Sequence, residues 1–240
     1  MTQNPDTRTH LEEYLKESTE RNMSERKEYS LYNRMPVYVK DALPQKVSLV
    51  SVIQKIEDFI PVHLLSHLEM IIVAHLPEFD ERDITAVFKD GAIYVSNQQE
   101  DEQELFEDMV HEIAHAVEHA YPQDIYADGK IEGEFLVKRR TLYQTLKTNN
   151  YLNDKVIAKH FFDVEYSQKL DMFFYRDVGY DALSMLTVGL FVSPYGATSL
   201  REYFANGFEE YFTGEPHNLK KISPQLYIKF QNLVEKGEMY

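Results

Sequence analysis

The sequence Val-His-Glu-Ile-Ala-His-Ala-Val, residues 110–117, is the most informative stretch of this chain. Positions i and i+4 of an α-helix lie on one face, so a helix here would point His111 and His115 at the same ion. Zinc binds imidazoles, and a catalytic zinc keeps one coordination position open for water. Glu112 stands beside both histidines and could take a proton from that water. The stretch therefore predicts a zinc-binding helix with His111 and His115 as ligands and Glu112 as catalytic base.

The flanking residues favour a helix. Apolar residues recur at helical spacing from Phe106 to Val117, and neither glycine nor proline occurs between residues 99 and 120. Carboxylates at the start of this region, in residues 101–104, suit the positive end of a helix dipole. A surface helix that carries two histidines by chance remains the alternative to a metal site.

The composition suits one large domain or two small ones. The chain has 240 residues, of which 43% are hydrophobic, so a substantial core is possible. A net charge of -15 argues against binding to nucleic acid or to anionic membranes, and it fits a basic protein or peptide substrate weakly. Because cysteine is absent, the sequence excludes disulfides, thiolate catalysis and zinc sites built on cysteine.

The sequence shows neither an export signal nor a membrane-spanning run. Residues 1–6 lack the basic segment and the following apolar run of a secretory signal peptide. No apolar run approaches the roughly 20 residues that a helix needs to cross a bilayer. We therefore expect a cytoplasmic protein by default, with secretion by another route as the alternative.

We divide the chain into a polar N-terminal arm, residues 1–34, and a catalytic domain, residues 35–240. Residues 69–76 are apolar and predict a buried strand. Residues 84–97 predict a hairpin, because Asp90-Gly91 near their middle favours a tight turn. The hairpin leads directly into the helix that carries the two histidines, which is the arrangement that a zincin needs.

The second half of the chain is predicted to be mostly helical. One helix carries an apolar stripe over residues 131–146, and another covers residues 199–213. A helical insertion near residues 128–178 could shape a lid over a substrate, form a surface for a partner or simply enlarge the core. The basic run at residues 138–140, Lys-Arg-Arg, is predicted to be a solvated helix face.

Two histidines do not complete a catalytic zinc site. One class of peptidases places a third histidine shortly after the second, but the corresponding positions here are Glu118 and Tyr121. Another class takes a glutamate from a later helix, for which Glu202 is the best candidate. Ser199 and Glu202 also fit a capping box, in which the glutamate only closes the start of the helix. The pattern alone leaves both interpretations of Glu202 open.

Three pieces of the sequence resemble one peptidase family. They are Ala-Ile-Tyr-Val-Ser from residue 92, the stretch at residues 110–117, and Glu-Tyr-Phe-Ala-Asn-Gly-Phe from residue 202. Together they resemble the catalytic domain of anthrax lethal factor and its smaller relatives, including the secreted Pro-Pro endopeptidases. The resemblance covers about half of the chain, residues 92–211. It implies a zincin-like α+β fold: a small mixed sheet, an HExxH helix and a mostly helical C-terminal half.

The resemblance also implies the roles of individual residues. It implies that Zn2+ is bound by His111, His115 and Glu202. The family places a tyrosine seven residues before its glutamate ligand, and Tyr195 occupies that position here. Tyr195 is therefore expected to be catalytic.

Two features depart from the family pattern. The family carries an acidic residue four positions after its glutamate ligand, whereas this chain has Asn206 there. The connection between His115 and Glu202 is also longer than we expect for the family. Glu209 shares a helix face with Glu202 and Asn206, and Glu118 shares one with the two histidines. A solvated position is the simplest interpretation of Glu118, and support of the metal ligands is the alternative.

We expect a zinc-dependent endopeptidase that hydrolyses peptide bonds of a protein substrate with a metal-activated water. Glu112 would accept the proton of that water, and Tyr195 would donate a hydrogen bond to the developing oxyanion. The strand at residues 92–96 is expected to pair with an extended substrate. Two alternatives are a catalytically silent zincin-fold binding or structural protein, such as a toxin or phage component, and an intracellular HExxH regulator that cleaves one partner. An intact Glu112 argues against the silent protein, because a purely structural site needs no base.

Overall fold

A computed structural model describes residues 28–82, 84–152 and 158–238 of the chain. Five strands form one mixed sheet in the order β1-β2-β3-β5-β4, and helices make up most of the second half. This architecture confirms the predicted α+β fold class. The strands are β1 Glu28–Leu31, β2 Met35–Val39, β3 Met70–Val73, β4 Ala86–Lys89 and β5 Ala92–Val95.

The helices fall into two groups along the sequence. Two of them alternate with strands in the first half, and the others follow the last strand. A π-helical turn, Phe173–Val178, and a short 3-10 turn, Tyr195–Ala197, interrupt the helical half. The α-helices are α1 Leu49–Phe59, α2 Pro77–Arg82, α3 Glu102–Ala120, α4 Pro122–Tyr126, α5 Lys130–Thr148, α6 Gln168–Met172, α7 Tyr180–Leu186, α8 Leu200–Phe212, α9 Pro216–Ile222 and α10 Pro224–Glu238.

The predicted hairpin forms from β4 and β5, which pair antiparallel. Asp90 and Gly91 both have positive φ, 51° and 79°, as a two-residue turn between twisted strands requires. β3 lies within the predicted strand at residues 69–76, and Ile71 and Val73 in it are fully buried. Both predictions are confirmed, and the hairpin directs the chain towards the start of α3.

β5 is an internal strand, because β3 pairs with one of its edges and β4 with the other. Our prediction that the strand at residues 92–96 pairs with a substrate is therefore wrong, since its backbone groups already bond to neighbouring strands. β4 is the terminal strand on this side of the sheet. The open edge beside α3 thus belongs to β4, whose Phe88 N–H points towards that helix.

α3 begins where the sequence predicts a helix. The Asp101 carboxylate caps it by accepting hydrogen bonds from the N–H groups of Gln103 and Glu104, each at 2.9 Å. The helix lies against β4, β5 and α1, and its apolar face, including Phe106, Val110, Ile113 and Val117, is buried. Packing on this face fixes which residues of α3 turn towards the second half of the chain.

α8 packs on α3 and confirms the helix predicted at residues 199–213. Its N-terminus is capped by the Ser199 hydroxyl, which accepts a hydrogen bond from the Glu202 N–H at 3.1 Å. Phe204 and Phe208 are fully buried and pack against Phe230 of α10, with ring centroids 5.1 and 5.8 Å apart. α8 is thus held between the histidine helix and the C-terminal helix.

The basic run of α5 is not a solvated face, so that prediction is wrong for two of its three residues. Arg139 is fully buried, and its guanidinium donates hydrogen bonds to the carbonyl oxygens of His160, Ala197 and Thr198. Lys138 is also buried and donates to the carbonyl oxygens of Leu190 and Ile222, whereas Arg140 is exposed. The two side chains bond to backbone carbonyls of segments far away in the sequence, and the apolar pattern of α5 alone could not show these contacts.

Part of the predicted domain division falls outside the described residues, namely residues 1–27 of the arm and residues 153–157 of the insertion. The described end of the arm, residues 28–31, forms β1 and pairs antiparallel with β2. Among the helices that the structure describes, none is long and apolar enough to cross a membrane.

Candidate metal centre

α3 presents His111 and His115 side by side, one turn apart. Their ring centroids are 4.8 Å apart and the rings are nearly perpendicular. His115 is buried, with 5% of its surface exposed, and His111 is half-buried. The helical spacing thus brings two imidazoles to one point at the face of α3 that meets α8.

Glu202 reaches the same point from the first turn of α8. Its Oε2 atom lies 3.1 Å from His111 Nε2, and its Oε1 atom lies 3.7 Å from His115 Nε2. One ligand atom from each of the three residues lies within 4.8 Å of the other two. The Ser199 hydroxyl bonds only to the backbone N–H of Glu202, and the Glu202 carboxylate faces the histidines.

These separations suit a metal ion. Two ligand atoms on a tetrahedral zinc, with bonds of about 2.0–2.2 Å, lie roughly 3.3–3.6 Å apart. The distances of 3.1 and 3.7 Å to the two Nε2 atoms bracket that value, although they belong to different oxygens of Glu202. With one ligand atom from each residue, the three atoms lie within 4.8 Å of one another, so the side chains would move closer together around an ion. His111, His115 and Glu202 therefore form a group that could hold a metal ion with small adjustments of side chains.

The remaining nitrogen of each histidine faces a carboxylate. His111 Nδ1 lies 2.5 Å from Glu209 Oε1, on the next turn of α8. His115 Nδ1 lies 3.5 Å from Glu118 Oε2 and accepts a hydrogen bond from Arg201 Nε at 3.0 Å. A carboxylate that accepts from Nδ1–H orients a ligand imidazole and leaves Nε2 for the metal. Glu209 is in place for this at His111. At His115 the bond from Arg201 puts the ring proton on Nε2, so this ring would bind a metal through Nε2 only after the proton moved to Nδ1, on the side of Glu118. Glu118 is thus not a solvated residue but a neighbour of His115.

The two histidines have opposite pKa shifts. Burial lowers the pKa of His115 to about 3, so its imidazole is neutral. Burial also works to lower the pKa of His111, but hydrogen bonds with Glu202 and Glu209 outweigh it and raise the pKa to about 10. Burial works to raise the pKa of Glu202, yet the bond from His111 lowers it overall. Because a ligand imidazole must be neutral, metal binding displaces the His111 proton.

Glu112 lies beside the triad, between α3 and the terminal strand. It is buried, with 7% of its surface exposed, and its Oε2 atom accepts a hydrogen bond from Phe88 N–H of β4 at 2.5 Å. Burial raises the pKa of Glu112 above its ordinary value. A carboxylate with a raised pKa accepts and returns a proton near neutral pH more readily than an ordinary one.

Tyr195 lies in a short 3-10 turn that precedes α8, and it lines the same cleft as Glu202. Its side chain is 40% exposed at the cleft. Burial, followed by the negative charge of Glu202, raises the pKa of Tyr195, so its hydroxyl keeps its proton at neutral pH. The hydroxyl is therefore able to donate a hydrogen bond to a group in the cleft.

Asn206 supports the Tyr195 turn instead of the histidines. The Ser193 hydroxyl donates a hydrogen bond to Asn206 Oδ1. A Cβ atom on Gly196 would lie 3.1 Å from the same oxygen, so the turn passes close over Asn206. The position that is acidic in the resembling family thus has another role here, and Glu209 makes the contact with His111.

A cleft of about 1290 Å³ opens next to the triad. Its wall opposite α8 comes from the segment that contains α6, the π-helical turn and the start of α7. Most of these residues fall within the predicted insertion. The lining includes Glu118, Tyr126, Glu165, Tyr166, Asp171, Met172, Tyr175, Tyr180, Tyr195, Arg201 and Glu202.

Sequence reasoning missed several residues of this site. The helical spacing predicts that Glu209 shares a face with Glu202, but it cannot show which of Asn206 and Glu209 reaches His111. Arg201 and Phe88 carried no recognisable signal, since each acts through a contact across the fold. Comparison with protein-family models, with curated proteins and with solved structures found no match.

Proposed function

We propose that this protein is a zinc-dependent endopeptidase that uses the His111, His115 and Glu202 group as its metal site. The supporting observation is that two imidazoles and one carboxylate, from two helices, each bring a ligand atom to within 4.8 Å of the other two. Two imidazoles and one carboxylate are a common donor set of catalytic zinc. A purely structural zinc site has no need of a fourth, proton-accepting residue, and Glu112 stands beside this one.

The chemistry divides between the ion and the protein. A zinc ion bound here would polarise a substrate carbonyl and acidify a water molecule. Glu112 accepts the proton of the attacking water and passes it to the nitrogen of the leaving amine. Its burial and its raised pKa suit both transfers.

Tyr195 supplies the second protein contribution. Its hydroxyl donates a hydrogen bond to the carbonyl oxygen as negative charge develops there, from the cleft that it shares with Glu202. The raised pKa keeps the hydroxyl in its donor form at neutral pH. Such a donor stabilises the transition state more than the ground state.

The substrate extends along the open edge of β4. The outward backbone groups of this strand belong to Ala86 and Phe88, because Val87 and Lys89 face β5. The Phe88 N–H already donates to Glu112, so a peptide would bond to the other outward groups. An extended peptide can add to such an edge through backbone hydrogen bonds. Because Phe88 of this strand contacts Glu112, a peptide bound to the edge would lie at a set distance from the base.

A cleavage profile of wild type and Glu112→Gln tests this function. Both proteins are loaded with zinc and incubated with a library of peptides from a digested proteome. New peptide termini are then identified by mass spectrometry. We expect wild type to generate defined new termini and Glu112→Gln to lose at least about a hundredfold in rate with unchanged zinc content, because the water loses its proton acceptor.

Glu107→Gln provides the matched control, because Glu107 is an exposed glutamate on the same helix. It should cleave like wild type. Wild-type protein that binds zinc and generates no new termini contradicts the proposed function. Retained cleavage in Glu112→Gln removes Glu112 from the mechanism.

A further inference from the structure

The cleft beside the triad has an unusual wall of tyrosines. Three of these rings are exposed at its surface, Tyr166 by 53%, Tyr175 by 62% and Tyr195 by 40%. Tyr180 also lines the cleft, and its ring centroid lies 6.3 Å from that of Tyr175. Large exposed aromatic side chains clustered around a cavity mark a surface that binds a ligand.

One carboxylate is held within this wall. Asp171 Oδ2 accepts a hydrogen bond from the Tyr166 hydroxyl at 2.7 Å, and Asp171 Oδ1 lies 3.4 Å from the Tyr180 hydroxyl. Burial and the nearby Asp171 raise the pKa of both tyrosines to about 12, so each hydroxyl donates at neutral pH. A carboxylate offers about four acceptor positions, and two hydroxyls leave the others for a ligand.

The charges that line the cleft are mainly negative. The carboxylates are Glu118, Glu165, Asp171 and Glu202, and the only cationic side chain among the described lining residues is Arg201. Arg201 is already engaged, since its Nε atom lies 3.0 Å from His115 Nδ1 and 3.8 Å from Glu118 Oε2. Metal binding would occupy Glu202, which leaves Asp171 and Glu165 to set the charge of the outer cleft.

We propose that Asp171 and the rings of Tyr166, Tyr175 and Tyr180 form a subsite for a lysine or arginine side chain of the substrate peptide. An ammonium or guanidinium group can bond to the Asp171 carboxylate while its alkyl chain lies across the rings. Cations bind favourably over tyrosine faces, and desolvation in a cleft strengthens this contact. The proposal rests on the proposed function and adds the substrate class.

Peptide hydroxamates test the subsite without requiring a known cleavage sequence. A hydroxamate group binds an active-site metal directly, so binding is measured by fluorescence anisotropy on the zinc-loaded protein. One series carries lysine at each of the first three positions from the hydroxamate, in both chain directions. A matched series carries norleucine, which has the same alkyl chain without the charge.

We expect at least one lysine position to bind at least about tenfold more tightly than its norleucine match, which is the lower end of the range for one charge-assisted hydrogen bond. Asp171→Asn should abolish this preference and leave the affinity for the norleucine series unchanged. The amide oxygen can still accept from one tyrosine hydroxyl, and the other hydroxyl can rotate to accept from the amide NH2. Asp177→Asn removes the same charge from an exposed position outside the cleft lining, and it should keep the preference.

The outcomes separate the two proposals. If no hydroxamate binds in a zinc-dependent way, the proposed function fails. If hydroxamates bind through zinc but lysine and norleucine bind equally at every position, the function stands and the subsite is overturned. A lysine preference that survives in Asp171→Asn also overturns the subsite, because it then arises from the overall negative charge of the protein.

Discussion

At the scale of single residues, the centre depends on what each histidine nitrogen faces. Glu202 lies at the Nε2 atoms, while Glu209 and Glu118 lie at the Nδ1 atoms of His111 and His115. A carboxylate that accepts from Nδ1–H holds a ring in the orientation that metal binding needs, and Glu209 is in place to do so for His111, whereas Arg201 donates to Nδ1 of His115. We therefore expect Glu209 to raise metal affinity without touching the ion.

Replacement of Glu209 tests this contribution. Glu209→Ala should lower zinc affinity by about 10–100-fold, the range found when such supporting carboxylates are removed. Glu210→Ala is the matched control, because Glu210 bonds to Asn218 on the next helix and not to a histidine. Affinity is measured by competition with a chelating dye. Equal affinities for the two variants would show that Glu209 does not orient His111.

Tyr195→Phe isolates the hydroxyl in the cleft. We expect kcat to fall by roughly a hundredfold, the scale for loss of one donor to a developing oxyanion. KM and zinc content should change little, because the hydroxyl acts mainly in the transition state. Steady-state kinetics on a peptide from the cleavage profile measure the effect. Normal kcat in the Phe variant would mean that Tyr195 only packs on α8.

At the scale of helices and strands, sequence patterns were sufficient to predict those elements whose structure depends on their own residues. The Asp90-Gly91 turn, the Asp101 cap and the apolar face of α3 are all local, and each was predictable from sequence. The buried Arg139 was not, because its acceptors are carbonyls in two distant segments. The position of β4 at the edge of the sheet could not be predicted either, since strand order follows from tertiary packing and not from a strand's own pattern.

Replacement of two helical glycines by alanine should change the stability of the protein in opposite directions. A Cβ atom on Gly207 of α8 would overlap the side chain of Leu226, which is fully buried and has no room to move. Gly207→Ala should therefore lower the free energy of unfolding by about 1–3 kcal/mol through overpacking. Gly133 of α5 has nothing within 4 Å of the corresponding position. Gly133→Ala should raise the free energy of unfolding by about 0.5–1 kcal/mol, because alanine restricts the unfolded chain.

Urea unfolding of the two variants measures both changes. The pair tests how closely α8 packs on α10, and that packing holds Glu202 over the histidines. If Gly207→Ala is as stable as Gly133→Ala, then α8 does not lie as close to α10 as the structure shows.

At the scale of the whole molecule, the centre lies where three layers meet. The sheet supplies β4, the first half supplies α3, and the helical half supplies α8 and the far wall of the cleft. The HExxH pattern was enough to predict the two histidines, because both lie on one helix with clear periodicity. The pattern left the role of Glu202 open, and only the family resemblance implied that it joins them, as it does in the structure. The cleft wall was not predictable, since its residues share no period and come together only through the irregular segment between α5 and α8.

Zinc titration of wild type, Glu202→Ala and Ser199→Ala tests the central claim most directly. We expect about one zinc ion per chain for wild type, because the triad forms a single site. Glu202→Ala should lose most of that affinity. Ser199→Ala should keep it while losing about 1 kcal/mol of stability, because only the helix cap is removed. Wild-type affinity in Glu202→Ala would contradict the account, since Glu202 would then only close the start of α8 and the two histidines would have no third ligand there.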